Sequence, residues 1–514
     1  MRIKEFVLLD RVERSEGDLE QEVRGLVYDS RKVAPGEVFF AIPGEKSDGH
    51  DFIAEAIRRG ASGVVFSRQG DRPTAAAAVQ VNDVRRALGL WAAHFYGWPS
   101  QNLRLVGVTG TNGKTTLTYL IESAFVAAGL TPGVIGTINY RYPGHEVASH
   151  HTTPESLDLQ RMLDEMVRAG VKAVAMEVSS HALGQERVRG LEFDVGVFTN
   201  LSRDHLDYHR DMEEYFLAKS SLFTDYLRAS SKPRKAAVIY GDDPRGRELI
   251  QKVRSMDVEV WSYGEGPQWD VHPVDVENDV AGLRGVIRAR EQTVEFRSPL
   301  IGAANLQNIL GAVGVGRALG IGDDALAQGI ARLKSVPGRL EKIANQRGIT
   351  ILVDYAHSPD ALEKVLGAVR PLTRGKLITV FGCGGDRDRG KRPLMGEIAA
   401  QLSDIVVLTS DNPRTEEPAA ILDDVEAGVK RTVLKKIDCS GLGSPVRNSR
   451  AERGYLVEAD RRKAIGMAVG MAIAGDLILI AGKGHEDYQI LGVNKIHFDD
   501  RQVAREELGR DANV

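Results

Sequence analysis

Short, almost continuously apolar segments alternate with helical segments along most of this chain, and this alternation constrains the possible fold most strongly. From residue 103, the segments LRLVGVTG, VKAVAMEV and FDVGVFTNL are separated by stretches such as SLDLQRMLDEMVRAG. The alternation returns after residue 338 in TILVDYA, GKLITVFG, DIVVLTS and DLILIAG. Strands without polar alternation are buried on both faces, so we predict α/β domains whose mostly parallel sheets are covered by helices.

The length of 514 residues corresponds to about three domains at roughly 150 residues each. The first block mixes short apolar strands (VFFAI, GVVFS) with helical stretches, and YGWPSQN around Pro99 is typical of a linker. We therefore predict domains at 1–102, 103–337 and 338–514. Residues 431–454, which include SGLGSPVRNSRAERG, are predicted to form a flexible loop without an assigned function.

Charge and composition exclude several classes of protein. The 67 Lys and Arg residues nearly balance the 71 Asp and Glu residues, which argues against a basic nucleic-acid binder. No apolar stretch is long enough to span a membrane, and the first residues do not have the pattern of a signal peptide. The two cysteines, Cys383 and Cys439, cannot form a disulfide framework, so a reducing cytoplasm is expected.

The strongest single motif is the run Gly110–Thr116, which lies between a predicted strand and a predicted helix. Glycines let backbone N–H groups approach phosphate oxygens, and a helix N-terminus favours anions. In such a loop Lys114 can reach the β- and γ-phosphates, and the Thr115 hydroxyl can bind Mg²⁺. Val108 occupies the position of the first glycine in the general spacing, so this is a shorter G-x-x-G-K-T-T form. A plain glycine turn opening a helix is the alternative.

The nucleotide is predicted to be ATP rather than GTP. A Ras-type GTPase reads its base with an Asn-Lys-x-Asp sequence. The pair Asn494-Lys495 is followed by Ile496 and His497, so the required aspartate is missing.

Two polar side chains follow strands that we expect in the same sheet as the phosphate loop. Glu177 ends VKAVAMEV, and His205 follows FDVGVFTNL. The carboxyl ends of parallel strands share one edge of the sheet, which is where nucleotide-bound Mg²⁺ would lie. Lys219 lies in a helical stretch with Phe216 and Phe223, and its spacing alone favours a lysine that extends its charge to solvent.

The third block carries four polar clusters, each directly after a predicted strand. They begin at Asp354, Gly382, Asp411 and Gly482. Ligands of open α/β sheets bind outside the carboxyl ends of strands, so four such clusters are more than ordinary turns. Asp411 and Glu486 are acidic, whereas Arg387 and Arg414 are basic. Carboxylates beside guanidinium groups suit the ammonium and carboxylate of an amino acid.

Taken in order, these motifs resemble the Mur ligase family, the ATP-dependent amide ligases of bacterial cell-wall synthesis. The resemblance covers nearly the whole chain. It rests on GTNGKTT (110–116), HTTP (151–154), EVSSH (177–181), NLSRDHLDYH (200–209), Lys219, Asn305 with Asn308, PGRLE (337–341), DYAHSPD (354–360), GCGGDRD (382–388), DNPR (411–414) and GKGHE (482–486).

The resemblance implies that the N-terminal domain binds the UDP end of a substrate, the central P-loop domain binds ATP, and a Rossmann-like C-terminal domain brings the incoming amino acid. It is closest to members that join UDP-N-acetylmuramoyl-L-alanyl-D-glutamate to meso-diaminopimelate. By the same matching, the ATP residues are Gly110, Thr111, Asn112, Gly113, Lys114, Thr115, Thr116, Asn305, Arg339, Asp354 and His357. Those for the UDP-muramoyl-dipeptide are Ser30, Thr152, Thr153, Ser179, Gln185 and Arg187. Those for diaminopimelate are Arg387, Asp411, Asn412, Pro413, Arg414, Gly482 and Glu486.

The resemblance also implies two Mg²⁺ ions, held by Thr115, Glu177, His205 and Lys219. Lys219 matches a lysine that is carbamylated in the family, and this overrides the interpretation from spacing. A lysine reacts with CO₂ only when its amine is neutral, which partial burial favours. Lys114, Lys219 and His205 are the expected catalytic residues. Domain motion is also expected, because the amino-acid site and the ATP site lie on different domains and must meet.

Other functions are compatible with parts of the sequence. The same reaction with L-lysine has no need of a guanidinium for a second carboxylate, so Arg414 favours diaminopimelate. A folylpolyglutamate synthase-like ligase lacks the N-terminal block and DNPR. A P-loop regulatory or motor ATPase accounts only for residues 104–230, and a non-enzymatic scaffold has no use for Asp411 and Arg414 together. We expect small-molecule substrates, no nucleic acid, no membrane insertion and a monomer.

Overall fold

The structure is a computed structural model that describes residues 1–44, 47–71, 73–74, 76–206, 208–437 and 453–511. The chain divides into two compact units. The first comprises Met1–His272, Arg288–Gln292 and Leu310–Gly329, and the second comprises Pro273–Ile287, Thr293–Ile309 and the described residues of Ile330–Val514. The predicted boundary near residue 102 therefore lies inside the first unit, and the three-domain boundaries stay a prediction.

The first block of the first unit is a small α/β layer structure. Its five-stranded sheet has the order β1-β5-β4-β3-β2, in which β2 to β5 are parallel and β1 is antiparallel to β5. Trp91 and Phe40 are fully buried in its core. The elements are α1 (Ile3–Val7), β1 (Val12–Glu16), β2 (Gly25–Val27), β3 (Glu37–Phe40), α2 (Ile53–Arg58), β4 (Gly63–Phe66), β5 (Ala77–Val81) and α3 (Val84–Phe95), with short 3₁₀ turns at Ser30–Lys32, Gly49–Phe52 and Pro99–Asn102.

A second, larger sheet of the same unit has six parallel strands in the order β13-β12-β11-β6-β10-β7, extended by antiparallel β8 and β9. Its elements are β6 (Arg104–Thr109), α4 (Lys114–Ala127), β7 (Pro132–Ile135), β8 (Asn139–Tyr142), β9 (His145–Ala148), α5 (Ser156–Arg168), β10 (Ala173–Glu177), α6 (Ser180–Gly184), β11 (Val195–Phe198), α7 (Met212–Ser221), a π-helical turn (Leu222–Leu227), β12 (Ala236–Tyr240), α8 (Pro244–Arg254) and β13 (Glu259–Tyr263). The strands at its centre, β6, β10 and β11, are buried apart from Arg104 at the start of β6, as their nearly unbroken apolar sequences predict.

Three strands that sequence analysis did not assign follow β13. They are β14 (Val271–Asp279), β15 (Gly282–Ala289) and β16 (Gln292–Ser298), and after them come α9 (Ala303–Ala318) and α10 (Asp323–Arg332). In β15 and β16 buried and exposed residues largely alternate, in contrast to the buried central strands. This polar alternation is the reason that a search for apolar segments misses them.

The second unit contains a seven-stranded sheet in the order β17-β18-β23-β19-β20-β22-β21, in which only β17 is antiparallel to its neighbour. Its elements are β17 (Glu341–Ile343), β18 (Thr350–Asp354), α11 (Pro359–Val369), a 3₁₀ turn (Arg370–Leu372), β19 (Leu377–Phe381), α12 (Lys391–Leu402), β20 (Ile405–Leu408), α13 (Pro418–Val429), β21 (Lys435–Lys436), β22 (Gly454–Val457), α14 (Arg461–Met471), β23 (Leu477–Ala481), the hairpin β24 (Tyr488–Leu491) and β25 (Asn494–His497), and α15 (Asp500–Asp511). Separate apolar cores cover its two faces.

The predicted α/β class with mostly parallel sheets is confirmed. In the predicted linker YGWPSQN, Pro99 and Ser100 are buried, and the Ser100 hydroxyl accepts a hydrogen bond from the Glu192 N–H at 3.1 Å. Most of the predicted loop 431–454, together with Cys439, lies outside the described residues. None of the described helices has the length and apolarity that a membrane-spanning helix needs.

Candidate active site

The phosphate loop leaves the central strand β6 and opens α4. Gly110 has a φ of 143°, and a Cβ at this position would lie 1.9 Å from the Thr199 hydroxyl oxygen. Only glycine combines that backbone angle with that close approach. Gly113, at the N-cap of α4, also has a positive φ, of 89°. The two glycines therefore fix the loop's path before Lys114 begins the helix.

The residues that follow the neighbouring strand β11 hold this loop in place. The Thr199 hydroxyl donates to the Asn112 carbonyl at 2.6 Å, and the Asn200 side-chain oxygen accepts from the Asn112 N–H at 3.0 Å. The Thr111 hydroxyl donates to the Ser202 carbonyl at 3.2 Å. These contacts order the loop before any ligand binds, which lowers the entropic cost of binding.

Two lysines converge on one carbonyl of the loop. The Lys114 ammonium donates to the carbonyls of Gly110 at 2.9 Å and Thr111 at 2.8 Å. Lys219 is only 1% exposed and donates to the same Gly110 carbonyl at 2.8 Å. Burial lowers the pKa of Lys219 well below its ordinary value, and the positive charge of Lys114 acts in the same direction. Lys219 is therefore not the solvent-directed lysine that its spacing alone favours.

Glu177 lies at the end of β10, next to the phosphate-loop strand. Its carboxylate is buried and accepts from the N–H of Thr137 at 2.9 Å and from the Thr137 hydroxyl at 3.0 Å. The Thr137 hydroxyl also lies 3.1 Å from that of Thr152. Thr137, which sequence analysis missed, therefore links the predicted metal ligand Glu177 to the predicted substrate residue Thr152.

His205 follows β11 on the opposite side of β6, and its partly exposed ring contacts two aromatic rings. Its ring centroid lies 4.9 Å from that of His181 and 6.1 Å from that of Tyr215, whose hydroxyl is 3.2 Å from that of Thr111. Partial burial and the charges of Lys114 and Lys219 lower the pKa of His205 against the opposing effect of Asp204. A neutral imidazole is the form that binds metal ions.

The predicted magnesium ligands fit a metal that is shared with a nucleotide. In the described ranges, no three His, Cys, Asp or Glu side chains are grouped closely enough to hold a metal ion by themselves. The predicted ligands include only two side chains of these four types, Glu177 and His205, in addition to the Thr115 hydroxyl. Mg²⁺ is usually held by one or two carboxylates together with substrate phosphates and water, so this donor set is compatible with the ion.

Four of the predicted substrate residues form one hydrogen-bonded group beside Glu177. The Arg187 guanidinium donates to the Thr153 carbonyl at 3.0 Å and to the Gln185 side chain at 2.7 Å. The Thr153 hydroxyl donates to the Glu177 carbonyl at 2.8 Å and accepts from the Ser179 N–H at 3.1 Å. Ser30 belongs to a 3₁₀ turn of the first block, where its hydroxyl lies 3.5 Å from the Glu55 carboxylate.

In the second unit, the four predicted polar clusters follow four adjacent parallel strands. Asp354 ends β18, and the clusters at Gly382, Asp411 and Gly482 follow β19, β20 and β23. The order β18-β23-β19-β20 places all four carboxyl ends next to one another. The structure thus brings together residues that are more than 100 positions apart in the sequence.

A fully buried lysine, Lys483, joins the acidic members of this group. Its ammonium lies 3.6 Å from the Asp411 carboxylate, 3.4 Å from that of Glu486 and 3.2 Å from the Asn412 side-chain oxygen. Asn412 also donates to Glu486 at 3.1 Å. One Asp411 carboxylate oxygen is buried without a hydrogen-bond partner, and it is the oxygen that faces the Lys483 ammonium at 3.6 Å.

Arg414 supplies the opposite charge. Its guanidinium donates to the Gly385 carbonyl at 2.7 Å, and its backbone has a φ of 52°. Within the part of the chain that the structure describes, it forms no ion pair with a carboxylate, and the nearby Glu416 pairs with Arg392 and Arg389 instead. Arg387 is exposed and donates to the Asp386 carbonyl at 3.3 Å, and Pro413 and Gly482 are buried beside the cluster.

The predicted ATP residues of this unit form two separate groups. Asp354 accepts from the N–H groups of Leu340 at 2.8 Å and Ala356 at 2.9 Å, and burial raises its pKa. The Arg339 guanidinium lies 4.7 Å above the Tyr355 ring, which contacts His357 at 4.6 Å. Asn305, in the first turn of α9, donates to the Ile301 carbonyl at 2.8 Å.

Three segments of the chain match families of known protein domains. Residues 22–96 match the Mur ligase family, catalytic domain, residues 108–316 match the Mur ligase middle domain, and residues 338–484 match the Mur ligase, glutamate ligase domain. The chain belongs to the Mur ligase family.

Similar proteins extend this Mur ligase assignment along the chain. A UDP-N-acetylmuramoyl-L-alanyl-D-glutamate–2,6-diaminopimelate ligase of Geobacter sulfurreducens is 49% identical over 489 residues, which are 95% of each chain. A solved structure of a ligase with the same name covers 100% of both chains with 32% identity and a TM-score of 0.71. Mycobacterium tuberculosis folylpolyglutamate synthase, complexed with ADP and AMPPCP, covers 83% of this chain and 96% of its own at 18% identity, with a TM-score of 0.62, which shows the fold alone.

Several residues that shape this Mur ligase site were not predicted from the sequence. Some lie outside every recognised motif, and others lie inside a motif but were given no role. Asn200 and Lys483 lie inside recognised motifs, directly after strands, and could have been found from that position. Thr137 and Tyr215 carry no sequence signal. Arg461 is fully buried, pairs with Asp500 at 2.7 Å and donates to the carbonyls of Ser410 and Ala481, which precede two of the clusters.

Proposed function

We propose that this protein is an ATP-dependent ligase that adds 2,6-diaminopimelate to the D-glutamate γ-carboxylate of UDP-N-acetylmuramoyl-L-alanyl-D-glutamate. The observation that carries the proposal is that a chain of this family has charged groups of both signs at its predicted amino-acid site. The relatives that match almost the whole chain bear the name of this ligase. Among its described residues, the second unit offers both acidic groups and a guanidinium that pairs with no carboxylate, which suits an amino acid with two zwitterionic ends.

The chemistry proceeds through an acyl phosphate. The γ-carboxylate attacks the γ-phosphate of ATP, and ADP leaves. The amino group of diaminopimelate then attacks the acyl carbon and loses a proton, and the tetrahedral intermediate collapses to an amide and inorganic phosphate. The protein contributes positioning and charge neutralisation rather than a covalent nucleophile.

The phosphate loop is proposed to bind the triphosphate. The ammonium of Lys114, held at the start of α4, would contact the β- and γ-phosphates and offset the repulsion between two anionic reactants. The loop's backbone N–H groups and the N-terminus of α4 add to this field. Asn305, Arg339, Asp354 and His357 remain predicted contacts of ATP.

Thr115, Glu177 and His205 are proposed to hold Mg²⁺ together with the phosphates. Bound there, Mg²⁺ would neutralise phosphate charge and polarise the γ-phosphoryl group. Lys219 is proposed to carry a carbamate, formed when its neutral amine attacks CO₂ and releases a proton. The support for this modification is that the Lys219 side chain is buried beside the phosphate loop.

The remaining substrate residues are proposed to orient the two organic reactants. Arg187, with Thr153, Ser179 and Gln185, would bind the muramoyl-dipeptide beside Glu177. Arg414 and Arg387 would bind the distal carboxylate of diaminopimelate, and Asp411, Asn412 and Glu486 its ammonium. The absence of a carboxylate partner for Arg414 among the described residues favours diaminopimelate over L-lysine. The cytoplasmic location and the monomeric state remain predictions.

A substrate panel tests the proposal. Purified protein is incubated with ATP, Mg²⁺, the UDP-muramoyl-dipeptide and one of the diaminopimelate isomers, lysine or ornithine, and products are identified by mass. We expect a conjugate with diaminopimelate, and phosphate release that requires both organic substrates. Consumption of ATP without any heavier conjugate would contradict the proposed ligase, and preferential addition of L-lysine would contradict the amino-acid assignment.

A further inference from the structure

We propose that Arg392 is a positioning residue for the incoming amino acid, because it holds Glu416 away from Arg414. The inference rests on the proposed function and adds a specificity-determining residue to it. Arg392 lies in the first turn of α12, and its side chain is fully buried. Its two terminal nitrogens donate to the two Glu416 carboxylate oxygens at 2.7 and 3.0 Å, and one of them also donates to Asp424 at 2.9 Å.

Both oxygens of Glu416 are fully engaged by this arrangement. Besides Arg392, they accept from the backbone N–H of Asp386 at 2.6 Å and from the exposed Arg389 at 2.9 Å. The Arg392 hydrogen bonds are the largest cause that keeps the pKa of Glu416 at about 2, so this carboxylate stays charged. Glu416 is thus an anion held close to the amino-acid site but already paired.

Arg414 and Glu416 lie on one short segment that packs against Gly384 and Gly385. The guanidinium groups of Arg392 and Arg414 donate to consecutive carbonyls, those of Gly384 at 3.3 Å and Gly385 at 2.7 Å. A Cβ at Gly385 would lie 3.3 Å from the Glu416 Cβ and 1.9 Å from the Pro413 carbonyl, so this glycine is packed against the segment that carries both residues. Glu416 follows Arg414 by two residues and could pair with it if Arg392 were absent.

The consequence for specificity follows from competition between anions. A guanidinium pairs strongly with any carboxylate that can approach both of its nitrogens. If Glu416 were free, its carboxylate would compete with the substrate's carboxylate for Arg414. Because Glu416 is tethered to the same chain, its effective concentration at Arg414 would be high, and more diaminopimelate would be needed to displace it. By holding Glu416, Arg392 keeps Arg414 available for the distal carboxylate of the substrate.

The test compares KM for diaminopimelate in matched variants. Arg392→Met is expected to raise this KM about tenfold or more, with smaller changes in the KM for ATP and in kcat. Adding Glu416→Gln to Arg392→Met should restore the KM, since a neutral amide competes poorly for Arg414. Adding Asp424→Asn instead should not restore it, because that carboxylate pairs with Arg392 and not with Arg414. Arg389→Met, which removes a Glu416 partner but leaves Arg392, should leave the KM near that of the wild type.

A purely structural role for Arg392 predicts a different pattern. In that case Glu416→Gln and Asp424→Asn would relieve the Arg392→Met variant equally or not at all, and either result would overturn the inference. If Arg392→Met does not fold, as judged by its thermal unfolding, Arg392→Lys carries the same test, because an ammonium cannot hold both carboxylate oxygens at once. A wild-type protein that makes no diaminopimelate conjugate contradicts the proposed function. A wild-type conjugate with an unchanged Arg392→Met KM contradicts this inference alone.

Discussion

Lys114 and Lys219 donate hydrogen bonds to the same oxygen, the carbonyl of Gly110, at 2.9 and 2.8 Å. One neutral acceptor cannot balance two ammonium charges, and the burial of Lys219 favours its neutral form. The phosphate loop is therefore a place where added negative charge is stabilised.

Lys114→Ala is expected to lower kcat by about 100- to 1000-fold, the usual effect of removing one group that stabilises transition-state charge. Thermal unfolding should change little, because the aliphatic part of Lys114 is only partly buried and its acceptors are backbone carbonyls on a loop held by Thr199 and Asn200. Steady-state kinetics of the conjugate, with unfolding as the control, provide the measurement. A variant that retains most of its turnover would contradict the assigned role.

Removal of CO₂ is expected to inactivate the enzyme reversibly. A carbamate on Lys219 forms from a neutral amine and CO₂ and is lost when CO₂ is withdrawn. Activity in degassed buffer should therefore fall and return on addition of hydrogen carbonate, and labelled ¹³CO₂ should give a carbamate signal in the NMR spectrum. Lys219→Met should be impaired under both conditions and give no such signal. Equal wild-type activity with and without CO₂ would argue against the modification.

Much of the site could be predicted because parallel strands place their carboxyl ends at one edge. Glu177 and the phosphate loop follow adjacent strands, and the clusters at Asp354, Gly382, Asp411 and Gly482 follow four adjacent strands of the second unit. The sequence carries apolar runs and the polar residues that end them, which is sufficient to expect convergence. It does not carry the order of strands, so which clusters are direct neighbours could not be derived.

The residues that hold the site together were not predictable for a different reason. Thr137, Arg392 and Arg461 bind the carboxylates of Glu177, Glu416 and Asp500, which lie 24 to 40 positions away, and no local pattern distinguishes them from surface residues. Lys219 illustrates the same limit, because its spacing favours an exposed lysine whereas tertiary packing buries it. Strands β15 and β16 were missed because their exposed residues interrupt the apolar signal.

Arg414→Ala is expected to raise the KM for diaminopimelate about 10- to 100-fold, which corresponds to the roughly 1.5–3 kcal/mol of a hydrogen bond to a charged group. The KM for ATP should stay close to that of the wild type. Competition between diaminopimelate and L-lysine, scored by product mass, shows whether discrimination against lysine falls as well. Equal losses for ATP and diaminopimelate would indicate a disturbed fold rather than a lost carboxylate contact.

Acid should destabilise the second unit through Glu426 on α13. Burial of this carboxylate opposes ionisation, but hydrogen bonds from Lys430 at 2.7 Å and Lys436 at 2.9 Å outweigh it and hold its pKa at about 2. Because the folded pKa lies below the unfolded value of about 4.3, the contribution of Glu426 to the free energy of unfolding is complete above that value and is lost as the pH falls towards 2.

Glu426→Gln should therefore lower the free energy of unfolding by about 1–2 kcal/mol at pH 7 and by much less near pH 2. Urea unfolding midpoints across this range provide the measurement, and the exposed Asp423→Asn serves as the control for charge alone. A Glu426→Gln difference that is the same at pH 7 and near pH 2 would show that the carboxylate is not stabilised by these lysines.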